Sequence, residues 1–196
     1  MKHGGHRPMT LEDLSDERLA RLSLHDSEPF GILFDRYAIK IYNFARFRGL
    51  EPSEAQDVTS DTFERALRAL DRFDPLIASF STWLFSIARN LTLDHLRANH
   101  RKGLTSIDDP VDFTSPDLDP EHELIEKQAA DALLDSIRKL DARAQEILSL
   151  KFASRLSNKE IAEVTKLSES HVAVILFRSI RKLRTMLFQE EPSTHG

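Results

Sequence analysis

The sequence lacks cysteine and has only 6 glycine residues among 196. Without cysteine the chain can form neither a disulfide nor a zinc site with thiolate ligands, and it has no cysteine nucleophile. No glycine lies in a GxGxxG or GxxxxGK(S/T) sequence, so no phosphate-binding loop is predicted. Apolar runs stay well short of the roughly 20 residues that a membrane span needs, and residues 1–8 lack the apolar segment of a secretory signal. We therefore expect a cytoplasmic protein that does not insert into a membrane.

The net charge of −5 conceals an uneven distribution of charge along the chain. Residues 103–136 contain ten acidic residues and one basic residue, whereas residues 137–189 contain eleven basic and five acidic residues. Residues 103–120 also contain Pro110, Pro116 and Pro120 and few large apolar side chains. They are predicted to form an acidic flexible linker. The basic segment that follows is a candidate for binding nucleic acid.

Helical periodicity, without sustained β-type alternation, predicts an all-α chain with two small helical domains. The predicted domains are 11–102 and 121–189, flanked by tails at 1–10 and 190–196. The predicted helices span residues 14–24, 29–48, 53–71, 81–100, 121–140, 142–152, 158–164 and 169–188. Gly49 and Gly103 each follow a helix, where a left-handed residue is expected. Capping boxes are predicted at Ser53–Gln56 and Ser157–Glu160.

The second domain has the spacing of a helix-turn-helix. A short helix begins after Ser157, Lys166 and Leu167 make the turn, and Ser168 is the predicted N-cap of the next helix. The second helix of such a motif enters the major groove of DNA. Its predicted outer face carries candidate DNA-binding side chains, namely Ser168, Ser170, His171, Val174, Arg178, Arg181 and Lys182. The alternative interpretation is an ordinary bundle helix with a solvated basic face.

A second candidate DNA surface lies on the last predicted helix of the first domain. Polar and basic side chains share one side of this helix and its basic end, and a loop over residues 74–80 precedes it. Such a surface suits the capture of an unpaired base. Trp83 and Phe85 are predicted to be core residues rather than stacking platforms. The candidate residues are Ser79, Phe80, Ser86, Arg89, Asn90, Leu93, Arg97, Arg101 and Lys102.

These segments together resemble a known family. Residues 30–37 (FGILFDRY), 54–66 (EAQDVTSDTFERA) and 80–90 (FSTWLFSIARN) are similar to region 2 of bacterial sigma-70 family factors, and residues 140–187 are similar to region 4. No region 1.1 or region 3 is recognisable between them. The chain therefore resembles the extracytoplasmic function (ECF) group.

The resemblance implies a protein that is not an enzyme and needs no cofactor or metal. Factors of this group give RNA polymerase its promoter specificity and help to melt the start site, with region 2 reading the −10 element and region 4 the −35 element. The implied partners are core RNA polymerase, promoter DNA and an anti-sigma factor. By position, Asp57, Asp61, Phe63 and Arg65 fall in the stretch that grips the β′ clamp helices, and the β flap is a further expected contact. Residues 74–80 correspond to the loop that holds a flipped −10 base. The linker is expected either to follow the RNA path of the polymerase or to be a simple spacer.

The helix-turn-helix departs from the family pattern. Lys166 stands where glycine is common, and His171, Ala173 and Ile175 stand where Thr, Lys and Arg are common. The loss of two cations predicts an atypical −35 preference, with Val174 and Ile175 on thymine methyl groups and Arg178, Arg181 and Lys182 holding phosphates. The free protein is further predicted to keep its domains close, or held by an inhibitor, with the basic faces hidden.

Two other functions are compatible with parts of the sequence. One is a helix-turn-helix regulator that acts without core polymerase. The other is a metal-dependent nuclease that uses the carboxylates of Asp57 and Asp61, or of Asp108, Asp109 and Asp112. Among the eight histidines, His3 and His6 lie in the predicted N-terminal tail, His122 and His195 are isolated, and the other four are predicted to face solvent or DNA, so no metal site is predicted from them.

Overall fold

The computed structural model describes residues 10–102, 132–133 and 135–189, and every regular element in these ranges is helical. The all-α prediction is therefore confirmed for this part of the chain. The predicted linker, both tails, Gly103 and most of the helix predicted over 121–140 lie outside the described residues. The first domain contains α1 (Asp16–Leu22), α2 (Glu28–Phe47), α3 (Pro52–Arg68) and α4 (Phe80–Lys102), with 3₁₀ turns at Leu11–Asp13 and Leu70–Arg72. The second contains α5 (Ala142–Leu148), a π-helical turn (Ser149–Ala153), α6 (Asn158–Thr165) and α7 (Glu169–Gln189).

The core of the first domain forms where α1, α3 and α4 pack around α2. Leu33, Ile41 and Phe44 recur at helical spacing on the buried face of α2. Phe85 of α4 is fully buried and meets Phe44 edge to face, with ring centroids 6.0 Å apart. This confirms the prediction that Phe85 is a core residue. Trp83 is half-buried and packs against the same core.

Helix starts and stops follow local chemistry, with one exception to the predictions. Gly49 has φ 93° after α2, as predicted. The capping box predicted at Ser53 is wrong, because α3 begins at Pro52 and Glu51 is its N-cap, with the Glu51 amide donating to Glu54. Proline favours the first helical position, since its missing N–H is not needed there, and this places the helix start before Ser53.

The second domain buries one face of each helix in a small core. Ile147, Leu148 and Leu150 contribute from α5 and the π-helical turn, and Ile161 and Val172 from α6 and α7. The predicted capping box at the start of α6 is confirmed: the Glu160 amide donates to Ser157 Oγ at 3.2 Å, and the Ser157 amide donates to Glu160 Oε2 at 2.8 Å.

The turn of the helix-turn-helix places a lysine in a backbone conformation that favours glycine. Lys166 has φ 60° and ψ 34° and is the C-cap of α6. A Cβ atom makes this left-handed conformation costly. Replacing Lys166 with glycine is therefore expected to raise the free energy of unfolding of this domain by about 0.5–1 kcal/mol, because the relief of strain exceeds the added entropy of the unfolded chain.

Urea titration measures the stability change, and Lys166→Ala is the matched control. Alanine also removes the charge but keeps the Cβ atom, so it should not stabilise the domain. Equal stabilities for the glycine and alanine variants would contradict the explanation by strain.

Candidate nucleic-acid and polymerase interfaces

The start of α4 and the loop before it carry the first group of predicted DNA-binding residues. Ser79 precedes the helix, and its Oγ accepts a hydrogen bond from the Thr82 amide at 3.2 Å. In this loop Leu76 is 94% exposed, and Ile77 beside it is also exposed. An exposed apolar loop next to a capped helix start can contact unstacked bases.

Phe80 requires a correction, because its side chain is fully buried. Its ring lies 5.8 Å from that of Tyr37 and 5.6 Å from that of Phe73, measured between centroids. A side chain held in the core cannot also touch DNA. Phe80 therefore positions the loop and the start of α4 instead of contacting a base.

The remaining residues of this group differ in accessibility. Asn90, Arg97, Arg101 and Lys102 are exposed. Ser86 and Leu93 are half-buried, and Ser86 Oγ donates to the Thr82 carbonyl at 2.8 Å. Arg97 pairs with Asp94 at 3.1 Å, an exposed contact of small energy. The accessible surface is therefore a polar and basic ridge toward the C-terminal end of α4.

Arg89 is engaged by the second domain. Its Nε lies 2.8 Å from Oε1 of Glu146, whose other oxygen is 3.0 Å from Nη1 of Arg143. Glu146 is only 4% exposed. Arg48, also buried, donates to the Ala142 carbonyl at 2.9 Å across the same contact. Burial lowers the pKa of the Arg48 guanidinium, and the charge of Glu146 opposes this shift. Glu146 is thus the anion that the arginines Arg48, Arg89 and Arg143 surround at the contact between the domains.

Glu160 makes the second polar contact between the domains. The hydroxyls of Ser79 and Ser81 both donate to its Oε1, while Oε2 serves the capping box of α6. Burial alone would raise the pKa of Glu160, but the hydrogen bonds from Ser81 and Ser157 outweigh it and lower the pKa. The Glu160 carboxylate therefore both completes the N-terminal cap of α6 and binds the helix-turn-helix to the residues around the start of α4.

The contact confirms one part of the predicted self-masking and corrects the other. The domains do lie together, with α4 packed against α6, and Ser79, Ser81 and Arg89 are engaged there. The basic face of α7 is not hidden, since Arg178, Arg181 and Lys182 are exposed. This closed arrangement, with the two domains in contact, engages Ser79, Ser81 and Arg89 of the α4 surface and leaves the basic face of α7 exposed.

The outer face of α7 is open to solvent. Ser168 Oγ accepts from the His171 amide at 3.2 Å, which confirms the predicted N-cap. Ser170, His171 and Val174 are exposed, as are the three cations predicted for this face. Ile175 is half-buried and packs partly against the core, and its contact with DNA stays a prediction. Phe177 and Arg184, which were not among the predicted residues, are also exposed on this side of the helix.

The predicted polymerase-binding residues lie on α3. Asp57 and Arg65 are exposed and Asp61 is half-buried. Phe63 is buried and packs on Phe34, with ring centroids 4.6 Å apart, so it supports this surface from beneath rather than presenting a ring to a partner. Beside these residues, an open groove of about 360 Å³ runs between α2 and α3 and is lined by Ala38, Ile39, Tyr42, Gln56, Thr59 and Ser60.

Within 10–102, 132–133 and 135–189, no three His, Cys, Asp or Glu side chains gather in an arrangement that could hold a metal ion. Among the helices of those same ranges, none combines the length and apolar character that crossing a membrane would require. Asp108, Asp109 and Asp112 lie outside the described residues.

Together, the helix-turn-helix and the polar ridge of α4 define a helical protein with a potential DNA surface on each of two domains. Comparison with known proteins identifies the family within this class. The family described as Sigma-70 region 2 matches residues 33–102, and that described as Sigma-70, region 4 matches residues 130–183. The chain belongs to the sigma-70 family of RNA polymerase sigma factors, in its ECF group.

Individual relatives agree with this assignment. The chain is 32% identical over 171 residues to the ECF sigma factor BldN of Streptomyces coelicolor, a match that covers 87% of this chain and 65% of BldN. It is 30% identical to the ECF sigma factor RpoE of Cereibacter sphaeroides, over 72% of this chain and 77% of that protein. The structure of CnrH in complex with the cytosolic domain of CnrY is similar with a TM-score of 0.68 and 27% identity, over 90% of this chain and 99% of CnrH. These matches favour a sigma factor over a nuclease or a polymerase-independent regulator.

Proposed function

We propose that this chain acts as a promoter-specificity subunit, which binds core RNA polymerase through α3 and directs it to DNA through α4 and α7. The observation that carries this proposal is the pairing of two exposed basic surfaces, on separate domains, with matches to regions 2 and 4 in that order. A sigma factor acts by binding, so no catalytic group or cofactor is required. Polymerase and promoters are cytoplasmic in bacteria, and we place its action there.

The surface of α3 supports the proposed contact with the β′ clamp helices. Asp57 and Asp61 lie one turn apart on this helix, with Arg65 one further turn along. The exposed carboxylate of Asp57 and the half-buried one of Asp61 lie next to an apolar groove and provide both electrostatic steering toward a basic partner and area to bury. The β flap is assigned to the second domain by the resemblance to region 4.

The ridge of α4 supports the proposed reading of the −10 element. Asn90, Arg97 and Arg101 present polar and cationic groups along about three turns of helix. The exposed loop at Leu76 and Ile77 lies at the other end of the helix and can receive an unstacked base. Extraction of a base costs a few kcal/mol, which backbone contacts and a fitted site can offset.

The closed arrangement has a consequence for this function. Ser79 and Arg89 are engaged by Glu160 and Glu146, so the domains must separate before these two residues can meet promoter DNA. Polymerase binding to both domains would hold them apart. An anti-sigma factor is an expected partner that would oppose this step, and the similar CnrH structure contains the cytosolic domain of CnrY.

Charge reversal at Asp57 tests the polymerase contact. Asp57→Lys is expected to weaken binding to core polymerase at least about tenfold, because it replaces an attractive charge on the α3 surface with a repulsive one. Binding is measured by titrating labelled chain with core enzyme.

Asp71→Lys is the matched control, since Asp71 is also exposed but lies on the 3₁₀ turn after α3. Thermal melts of both variants should match the unmodified chain. Equal affinities of the two variants for core polymerase would remove the assignment of α3 as the polymerase surface.

A further inference from the structure

Two arginine side chains of the first domain have their polar contacts with the second domain. Arg48, the C-cap of α2, donates from Nη1 to the Ala142 carbonyl at 2.9 Å. The Nε atom of Arg89 on α4 lies 2.8 Å from Oε1 of Glu146. Within residues 10–102, no hydrogen bond or ion pair to either guanidinium comes from the first domain itself. Both guanidinium groups therefore lose these partners when the domains separate.

The charges around Arg48 lead to the same conclusion. Burial lowers the pKa of its guanidinium, the carboxylate of Glu146 opposes this shift, and the positive charges of Arg89 and Arg143 lower the pKa further. Among the described residues of the first domain, no carboxylate contributes to this balance. The closed arrangement thus supplies one buried anion, Glu146, to cations that the first domain does not neutralise.

The chemistry of the pair indicates the ligand that replaces Glu146. Guanidinium groups bind carboxylates and phosphates in the same way, because both present oxygen atoms that match the guanidinium fork. In the closed arrangement Arg89 contacts the carboxylate directly, whereas Arg48 donates to a neutral carbonyl. A phosphate group has more acceptor oxygens than a carboxylate and can accept from both arginines. The pair therefore suits a phosphate better than it suits the carboxylate that occupies it.

We infer that Arg48 and Arg89 form a phosphate-binding site, which Glu146 fills when the domains are closed. The site adjoins the polar ridge of α4, since Arg89 directly precedes Asn90. A phosphate group and the Glu146 carboxylate cannot occupy it together, so phosphate binding and domain closure exclude each other. Arg48 lies on a different helix from the predicted DNA-binding residues of this domain. The inference rests on the proposed function for the source of the phosphate, which we assign to the DNA backbone.

Energy transfer between two dyes tests the competition between phosphate and closure. Because the chain has no cysteine, dyes can be attached at Asp71→Cys on the first domain and Glu169→Cys on the second, both at exposed positions. Inorganic phosphate at about 50 mM is expected to lower the ratio of closed to open chain about tenfold, as for a ligand that binds the open chain alone with a Kd of about 5 mM. Sodium chloride at the same ionic strength should change the ratio less than about twofold, since partly buried ion pairs are weakly screened.

Binding to a single-stranded thymine homopolymer tests whether the phosphate comes from DNA. The Glu146→Gln chain is used, because its site is uncovered. Adding Arg48→Gln or Arg89→Gln should weaken binding about tenfold at low salt. Each change should also reduce the slope of log affinity against log salt by about 0.7, the value for one phosphate contact on a single strand. Arg72→Gln is the matched control, since Arg72 is exposed on the 3₁₀ turn of the same domain, and it should alter neither quantity.

Arg48→Lys separates phosphate binding from a structural role. Lysine keeps the charge, so the salt slope should stay that of the Glu146→Gln chain, whereas a structural role would make the lysine and glutamine variants equally defective. Equal opening by phosphate and chloride would overturn the inference. Opening by phosphate with unchanged DNA binding of the glutamine variants would confirm the site but overturn its assignment to DNA. The proposed function fails separately, if the chain does not direct core polymerase in transcription while both anion measurements hold.

Discussion

Replacing Glu146 with glutamine is expected to separate the two domains without unfolding either of them. Glu146 is buried between Arg89 and Arg143, and its charge also acts on the buried Arg48. Removing one partner of a buried ion pair typically costs about 3–5 kcal/mol, since the remaining charge is left without compensation. Here Arg48 and Arg89 belong to the first domain and can regain water when the domains part.

Separation of the two domains therefore removes the free-energy cost of the uncompensated buried charges. The ratio of closed to open chain is expected to fall by two orders of magnitude or more. Small-angle scattering should show a larger radius of gyration for Glu146→Gln. Binding to promoter DNA with a melted −10 element should become stronger, because Ser79 and Arg89 are released.

The control for this substitution is Glu163→Gln, which makes the same chemical change on α6 outside the described ion pairs of the interface. Its radius of gyration and DNA affinity should equal those of the unmodified chain. If Glu146→Gln behaved like this control, the ion pair would not hold the closed arrangement.

Replacing Phe80 with alanine is expected to destabilise the first domain by about 3–5 kcal/mol, the usual cost of deleting a fully buried phenylalanine side chain. The ring contacts Tyr37, Phe73 and Trp83, so its loss opens a cavity where α2 and α4 meet. For a small domain a loss of this size removes much of the total stability.

Leu76→Ala is the comparison, because Leu76 is almost fully exposed only four residues away. Its effect on urea unfolding should stay within about 0.5 kcal/mol, while its binding to unpaired −10 bases should weaken. The opposite pattern, with Phe80→Ala stable but defective in DNA binding, would restore Phe80 as a direct DNA contact.

Local patterns predicted the features that depend on local chemistry. The helix boundaries, the Ser157–Glu160 capping box and the left-handed Gly49 all follow from residues within a few positions of one another. The burial of Phe85 followed from the general preference of large aromatic side chains for the core. The start of α3 was misplaced because two capping patterns overlap there, and Pro52 decides between them.

Features that depend on distant residues could not be predicted in this way. Phe80 appeared to be part of a loop, and only the packing of α2 and α4 shows that its ring is enclosed. Arg89 and Glu146 are 57 positions apart, so their pairing depends on how the domains dock. The exposure of Phe177 could have been predicted, because it shares one stripe of the helix with Ser170 and Arg181. It was overlooked because the prediction concentrated on Ala173 and Ile175, which stand where the family commonly has cations.

Transcription in vitro with purified core RNA polymerase tests the central claim most directly. Core enzyme supplemented with the full-length chain should initiate on bacterial genomic DNA at a limited set of start sites that share −10 and −35 elements, and core enzyme alone should not. Mapping the 5′ ends of the transcripts measures this outcome. A chain that neither bound core polymerase nor changed the mapped start sites would contradict its assignment as a promoter-specificity subunit.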